Sequence, residues 1–145
     1  MKDLSEYKDS FLLFLEAGFI AINQYDEDAA IKLFKACELF QPDNFLIKIG
    51  MGYLYMNKLE LQQSCQAFEE VLEKDPENDI AQTFLGFVLS LMPDQVEKGE
   101  KLLEASAKRA PDPETKETAR TALEFINTFI KKTSVEGGPA SVKQK

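Results

Sequence analysis

Gly18, Gly52 and Gly86 lie 34 residues apart, and each is followed by a proline that a helix cannot easily pass, at Pro42, Pro76 and Pro111. The text around the glycines recurs as Ala-Gly-Phe at 17–19, Met-Gly-Tyr at 51–53 and Leu-Gly-Phe at 85–87, each inside an apolar run. Phe34 and Phe68 stand sixteen residues beyond the first two glycines, and Leu103 falls one place late beyond the third. Self-similarity at this period means one supersecondary unit written three times, and that narrows the architecture more than any single residue does.

The segments between the breaks read as helices, because polar caps open them, apolar residues follow helical spacing and no stretch alternates as a strand would. Asp3 and Glu6 form a capping box for a first helix continuing through Phe11 to about Asn23. Asp26 caps a helix over about 27–40, and Asn44 opens one running to about Asn57. Helices over about 60–74, 78–91 and 95–109 follow, and the turn at Met92-Pro93-Asp94 carries the one-residue insertion that delays Leu103 and Pro111. Asp112-Pro113-Glu114 is a cap, a proline at the first helical position and an acid in the first turn. The seventh helix begun there has Ala119, Ala122, Leu123, Ile126, Phe129 and Ile130 on one face, as expected of a terminal cap over about 113–132. Residues 133–145 are too poor in apolar side chains to fold and are expected to form a flexible tail. The expectation is all-α, with a single domain over 1–132.

A 34-residue helix-turn-helix period with these marks resembles the tetratricopeptide repeat. In the middle unit Gly52, Tyr55, Ser64, Phe68, Val71 and Pro76 match the family's signature positions. The first unit supplies Gly18, Ala21, Ala30, Phe34, Cys37 and Pro42, and the third Gly86, Leu89, Gly99, Leu103 and Pro111. Phe14 matches the large aromatic expected early in each unit, whereas Lys48 and Gln82 replace it in the other two. The resemblance covers about residues 11–112 and implies three repeats, about 11–44, 45–78 and 79–112, in a right-handed superhelix closed by the C-terminal capping helix. Small residues at 18, 30, 52, 64, 86 and 99 let paired helices approach, and large ones at 34, 68 and 103 fill the space between pairs.

The first helix of each pair carries the functional expectation. Residues 11–22 and 45–56 are apolar almost all round, unlike the half-wet helix over 61–74. In tetratricopeptide arrays first helices line the concave surface. The groove-facing positions correspond here to Leu12, Leu15, Phe19 and Ile22, then Leu46, Ile49, Tyr53 and Met56, then Ile80, Thr83 and Phe87, with Ser90 at the end. So apolar a trough predicts a protein partner. It lacks the lysine and asparagine with which carboxylate-gripping adaptors of the family hold a C-terminus. The chain is in this respect similar to the tetratricopeptide chaperones of bacterial type III secretion. That resemblance implies a chaperone holding an amphipathic helix of the needle subunit before export. A translocator chaperone of the same system, or a generic interaction scaffold, are the alternatives. It also implies a small helical co-chaperone, and homodimerisation stays open.

Composition bounds the rest. A net charge of −8 disfavours nucleic acid and anionic membrane as partners. The apolar run over 11–22 is shorter than the roughly 20 residues that cross a bilayer. With no secretory signal read at the N-terminus and two unpaired-looking cysteines, Cys37 and Cys65, a reducing cytoplasm is expected. The chain has no histidine, so the commonest catalytic base and metal ligand are missing and no enzymatic activity, metal or cofactor is expected. Asp75-Pro-Glu-Asn-Asp79 spaces acids like a calcium loop, but Ile80 stands where that loop needs glycine.

Overall fold

A computed structural model describes residues 10–132, and the capping box at Asp3 and Glu6 and the tail over 133–145 lie outside the described residues. Among the described residues seven α-helices follow in order: α1 (Phe11–Asn23), α2 (Glu27–Phe40), α3 (Phe45–Asn57), α4 (Leu61–Lys74), α5 (Asp79–Ser90), α6 (Val96–Arg109) and α7 (Pro113–Phe125). No strand occurs among the described residues. The caps expected at Asp26, Asn44 and Asp112 are in place, and Asn78 adds one not read from the sequence. Asp26 accepts from the Ala29 amide at 3.0 Å, Asn44 from Leu46 at 2.9 Å, Asn78 from Ala81 at 2.9 Å and Asp112 from Thr115 at 2.8 Å. One boundary differs from expectation, since the α-helical ladder of the seventh helix stops at Phe125 and the chain continues through Ile126–Lys131 as a wider π-helical turn.

The chain divides into two compact units, Met1–Pro76 and Glu77–Lys145. In the first, α1 packs on α2 and α3 on α4 as antiparallel hairpins, and α3 also touches α1 and α2. Its core gathers Phe11, Leu15, Ile22, Phe34, Ile47 and Leu54. The periodic glycines explain how the pairs close. A methyl group on Gly18 would sit 2.5 Å from the Phe34 ring, and one on Gly52 would sit 2.6 Å from the Phe68 ring. Each second helix therefore seats its buried phenylalanine directly on the glycine backbone of its partner. Gly50 contributes a second face to Phe34, whose ring edge would lie 2.6 Å from a Cβ there. Phe34 is thus held between two hairpins, α1 on one side and α3 on the other.

The turns repeat as well. Tyr25 and Leu59, 34 residues apart, both take left-handed backbone conformations with φ of 61° and 59°. At each turn the next amide reaches back across the helix end, Asp26 to the Ala21 carbonyl and Glu60 to that of Tyr55, both at 2.9 Å. That is the Schellman arrangement, built here without glycine. The corresponding position in the third hairpin is Pro93, whose ring holds φ near −65° and forbids the left-handed turn. A 3-10 turn over Pro93–Gln95 connects α5 to α6 instead, which accounts physically for the extra residue there.

In the second unit α6 packs on both α5 and α7, and α5 also meets α7. Its core holds Leu103, Ala119, Ala122 and Ile126. Here glycine meets glycine: a Cβ on Gly86 would stand 2.9 Å from the Gly99 carbonyl oxygen, and one on Gly99 would collide with the Gly86 carbonyl and Ser90. Leu103 completes the contact.

The three positions expected to carry an early aromatic, 14, 48 and 82, all tie a first helix to its second helix, by different chemistry. The Phe14 ring stacks on Phe40 at 5.7 Å, and Lys48 pairs with Glu70 at 2.6 Å. Gln82 donates to Ser106 Oγ and the Leu102 carbonyl, both at 3.2 Å, and accepts from Arg109 at 2.8 Å. The departures from the aromatic pattern keep the bridge and change only its means. Among the described residues no buried side-chain nitrogen or oxygen lacks a partner, and no helix is long and apolar enough to cross a membrane.

Candidate partner-binding surface

The predicted groove residues separate by burial. Leu15, Ile22, Ile49 and Thr83 are buried, and the first three present no surface to a partner. Leu15 and Ile22 belong to the core under α1, while the Thr83 hydroxyl donates to the Asp79 carbonyl at 2.7 Å. α1 is covered by α2 and α3, and α5 by α6 and α7, which is why all-round apolarity overstates what a first helix offers outward. Phe19, Leu46, Tyr53, Met56 and Phe87 are half-buried, and Leu12 and Ile80 are exposed.

What α1 leaves in solvent is nonetheless apolar. Leu12, Leu13 and Ile20 are all exposed, Leu13 to 62%. At about 100° per residue they fall with Glu16 and Phe19 on an arc of roughly 120°. At its inner edge the Phe19 ring lies edge-on to Phe34 at 5.8 Å and tilted on Tyr53 at 5.6 Å. The Tyr53 hydroxyl donates to Asn23 Oδ1 at 3.0 Å, tying α3 to the end of α1. The result is a face of aliphatic and aromatic side chains with one carboxylate, Glu16, within it. Leu13 and Ile20 were not among the groove positions taken from the family pattern. Their seven-residue spacing, two helical turns along one face, was the available signal.

Two hollows add polar character elsewhere. In the first unit a cavity of about 370 Å³ opens among α2, α3 and α4, with Ile31, Lys35, Met51, Tyr55, Gln66 and Glu70 in its wall. None of the predicted groove residues lines it. The Lys48 ammonium beside Glu70 holds that carboxyl below the usual range at its rim. In the second unit Ile80 and Thr83 share a hollow of about 270 Å³ with Phe84, Asp112, Thr115 and Thr118. The Phe87 ring lies 6.1 Å from Phe125, which in turn is tilted against Phe129 at 5.3 Å.

Cys37 is buried, its thiol directed at the Phe11 carbonyl at 3.7 Å, and burial pushes its pKa up. A thiol so placed is a core packer and a poor nucleophile. No protein-family model, no curated protein and no solved structure matches the chain.

Proposed function

We propose that this chain is a chaperone built from tetratricopeptide-type hairpins, which holds an amphipathic helix of an export-bound subunit on the apolar face of α1 and the adjoining ring of Tyr53. The cargo class comes from the resemblance, a type III secretion needle subunit first and a translocator segment second, with a cytoplasmic site of action. The observation that carries the reading is the outward apolar face of α1, where Leu12, Leu13 and Ile20 stand in water beside the Phe19–Tyr53 ring pair. The recurrent glycine-to-ring contacts and left-handed turns support the repeat assignment.

A helix laying its apolar stripe on this face would remove surface from water on both partners. Each large side chain fully covered contributes about 1.5–3 kcal/mol, against roughly 4–15 kcal/mol for lost freedom on association. Three exposed aliphatic side chains and two half-covered rings, matched by a similar stripe on the cargo, correspond to holding of about micromolar strength. That suits a chaperone that must release its cargo. Replacing exposed Leu13 and Ile20 with glutamate tests the reading without opening the core. Co-purification with a needle-like subunit should be lost while the helical circular dichroism signal stays unchanged. Undiminished co-purification would remove α1 as the docking face.

A self-associating scaffold is the second reading, favoured by the adjoining rings of Phe125 and Phe129, of which Phe129 is 58% exposed. Light scattering that gives a stable dimer, dispersed by Phe129→Ser, would support it over the chaperone.

A further inference from the structure

Tyr25 and Leu59 combine three properties that seldom occur together in a side chain without a contact to make. Both are large and apolar, and both are almost fully in water, Tyr25 at 89% exposure and Leu59 at 74%. Both also occupy left-handed backbone that a residue with a Cβ adopts at a cost and glycine adopts freely. Neither earns its place through packing, and glycine would complete the same Schellman turns. Strain kept at matching positions of two successive hairpins, with no intramolecular gain, points outward to a binding role.

The two turns form one edge. Lys58, beside Leu59, donates at 2.7 Å to Glu27 in the first turn of α2, and lies 2.9 Å from Glu60. The Glu27 and Glu60 carboxylates raise the pKa of its ammonium above the usual lysine range. Over residues 23–28 and 57–60 there are four carboxylates, Asp26, Glu27, Asp28 and Glu60, and the single ammonium of Lys58, a formal balance of −3. A second copy of this chain would bring the same negative edge against itself, which argues against self-association here.

We infer that the hairpin tips of the first unit form a second docking edge, separate from the α1 face, for a basic segment that sets apolar side chains on Tyr25 and Leu59 and lysine or arginine among the surrounding carboxylates. The edge would let the protein engage a cationic partner while its α1 face remains available for cargo.

The test uses the full chain with Tyr25→Gly and Leu59→Gly combined, and two fluorescently labelled synthetic helical peptides of one leucine pattern, one with lysine and one with glutamate at the polar positions. The double variant should melt roughly 2–6 °C higher, because the turns are relieved of strain. It should bind the lysine peptide at least about tenfold more weakly, about 1.4 kcal/mol. The glutamate peptide should bind the unaltered protein far less well than the lysine peptide. A variant that melts higher yet keeps its affinity for the lysine peptide would overturn the inference. So would a variant that melts lower, since Tyr25 and Leu59 would then be serving the fold, or equal binding of the two peptides.

Discussion

The first two hairpins and the third place glycine at the same period and use it for different kinds of closeness. In the first unit Gly18 and Gly52 each make room for a phenylalanine ring, whereas in the second Gly86 and Gly99 let two backbones meet with Leu103 beside them. The connections differ in step. The first two turn through left-handed Tyr25 and Leu59, and the third turns through Pro93 in a 3-10 bend. The bridge at positions 14, 48 and 82 runs from ring stack to exposed ion pair to buried hydrogen bonds. A periodic glycine thus specifies where helices approach, and the facing residue decides whether a ring or a peptide plane fills the gap. Rings yield by rotating or shifting, while backbones do not, so the second unit should be the less forgiving of the two.

Truncation of the fillers should give the largest effects. Phe34→Ala and Phe68→Ala should each destabilise by about 3–5 kcal/mol and Leu103→Ala by about 2–5 kcal/mol, measured by urea unfolding. Phe34 should head the series, because Gly18 and Gly50 both lose their contact. Next come the glycines themselves. Gly99→Ala should cost more than Gly18→Ala, the latter about 1–3 kcal/mol, because the Phe34 ring can shift away from a new methyl group and the Gly86 carbonyl cannot. Equal costs would remove the distinction between ring and backbone contacts. Gln82→Ala should cost about 1–3 kcal/mol through the partners it leaves at Ser106 and Arg109. Lys48→Ala, at the matching position in the first unit, should cost under about 1 kcal/mol, because both partners of its ion pair are solvent-exposed.

The smallest expected effect is of acid. Lys48 lowers the Glu70 pKa in the first unit, chiefly through a hydrogen bond, and the Thr115 hydroxyl and amide lower that of Asp112 in the second. A depressed folded-state pKa stabilises above the unfolded value and ceases to do so as pH falls through the folded one. Protection factors for amide exchange near α4 and at the start of α7 should therefore fall together only below about pH 4. Separate onsets within the neutral range would point to other groups.

Helix number, caps and pairing were legible because they depend on local chemistry: a capping oxygen, a proline or a 34-residue recurrence needs no partner to be read. Phe34 as a filler between hairpins could be expected from periodicity, whereas the glycines under its ring, Gly18 in its own hairpin and Gly50 in the next, could not, because they depend on how closely α1 and α3 approach α2. Which apolar positions of the first helices stay exposed was not legible. Leu15 and Leu12 look alike in sequence, three residues apart on an apolar helix, but one faces the core and the other water. The left-handed Tyr25 and Leu59 were hidden because neither residue type signals that conformation. Pro93 at the same register was the available clue that the third turn must differ.

The most direct measurement is chemical-shift mapping by NMR of the full chain titrated with the helical segment of an export-bound needle-like subunit. The result predicted is saturable perturbation centred on Leu12, Leu13, Phe19, Ile20 and Tyr53, with the cavity residues Lys35 and Gln66 little changed. Perturbation confined to that cavity or to the second unit, or none at saturating peptide, would contradict α1 as the surface that holds the cargo.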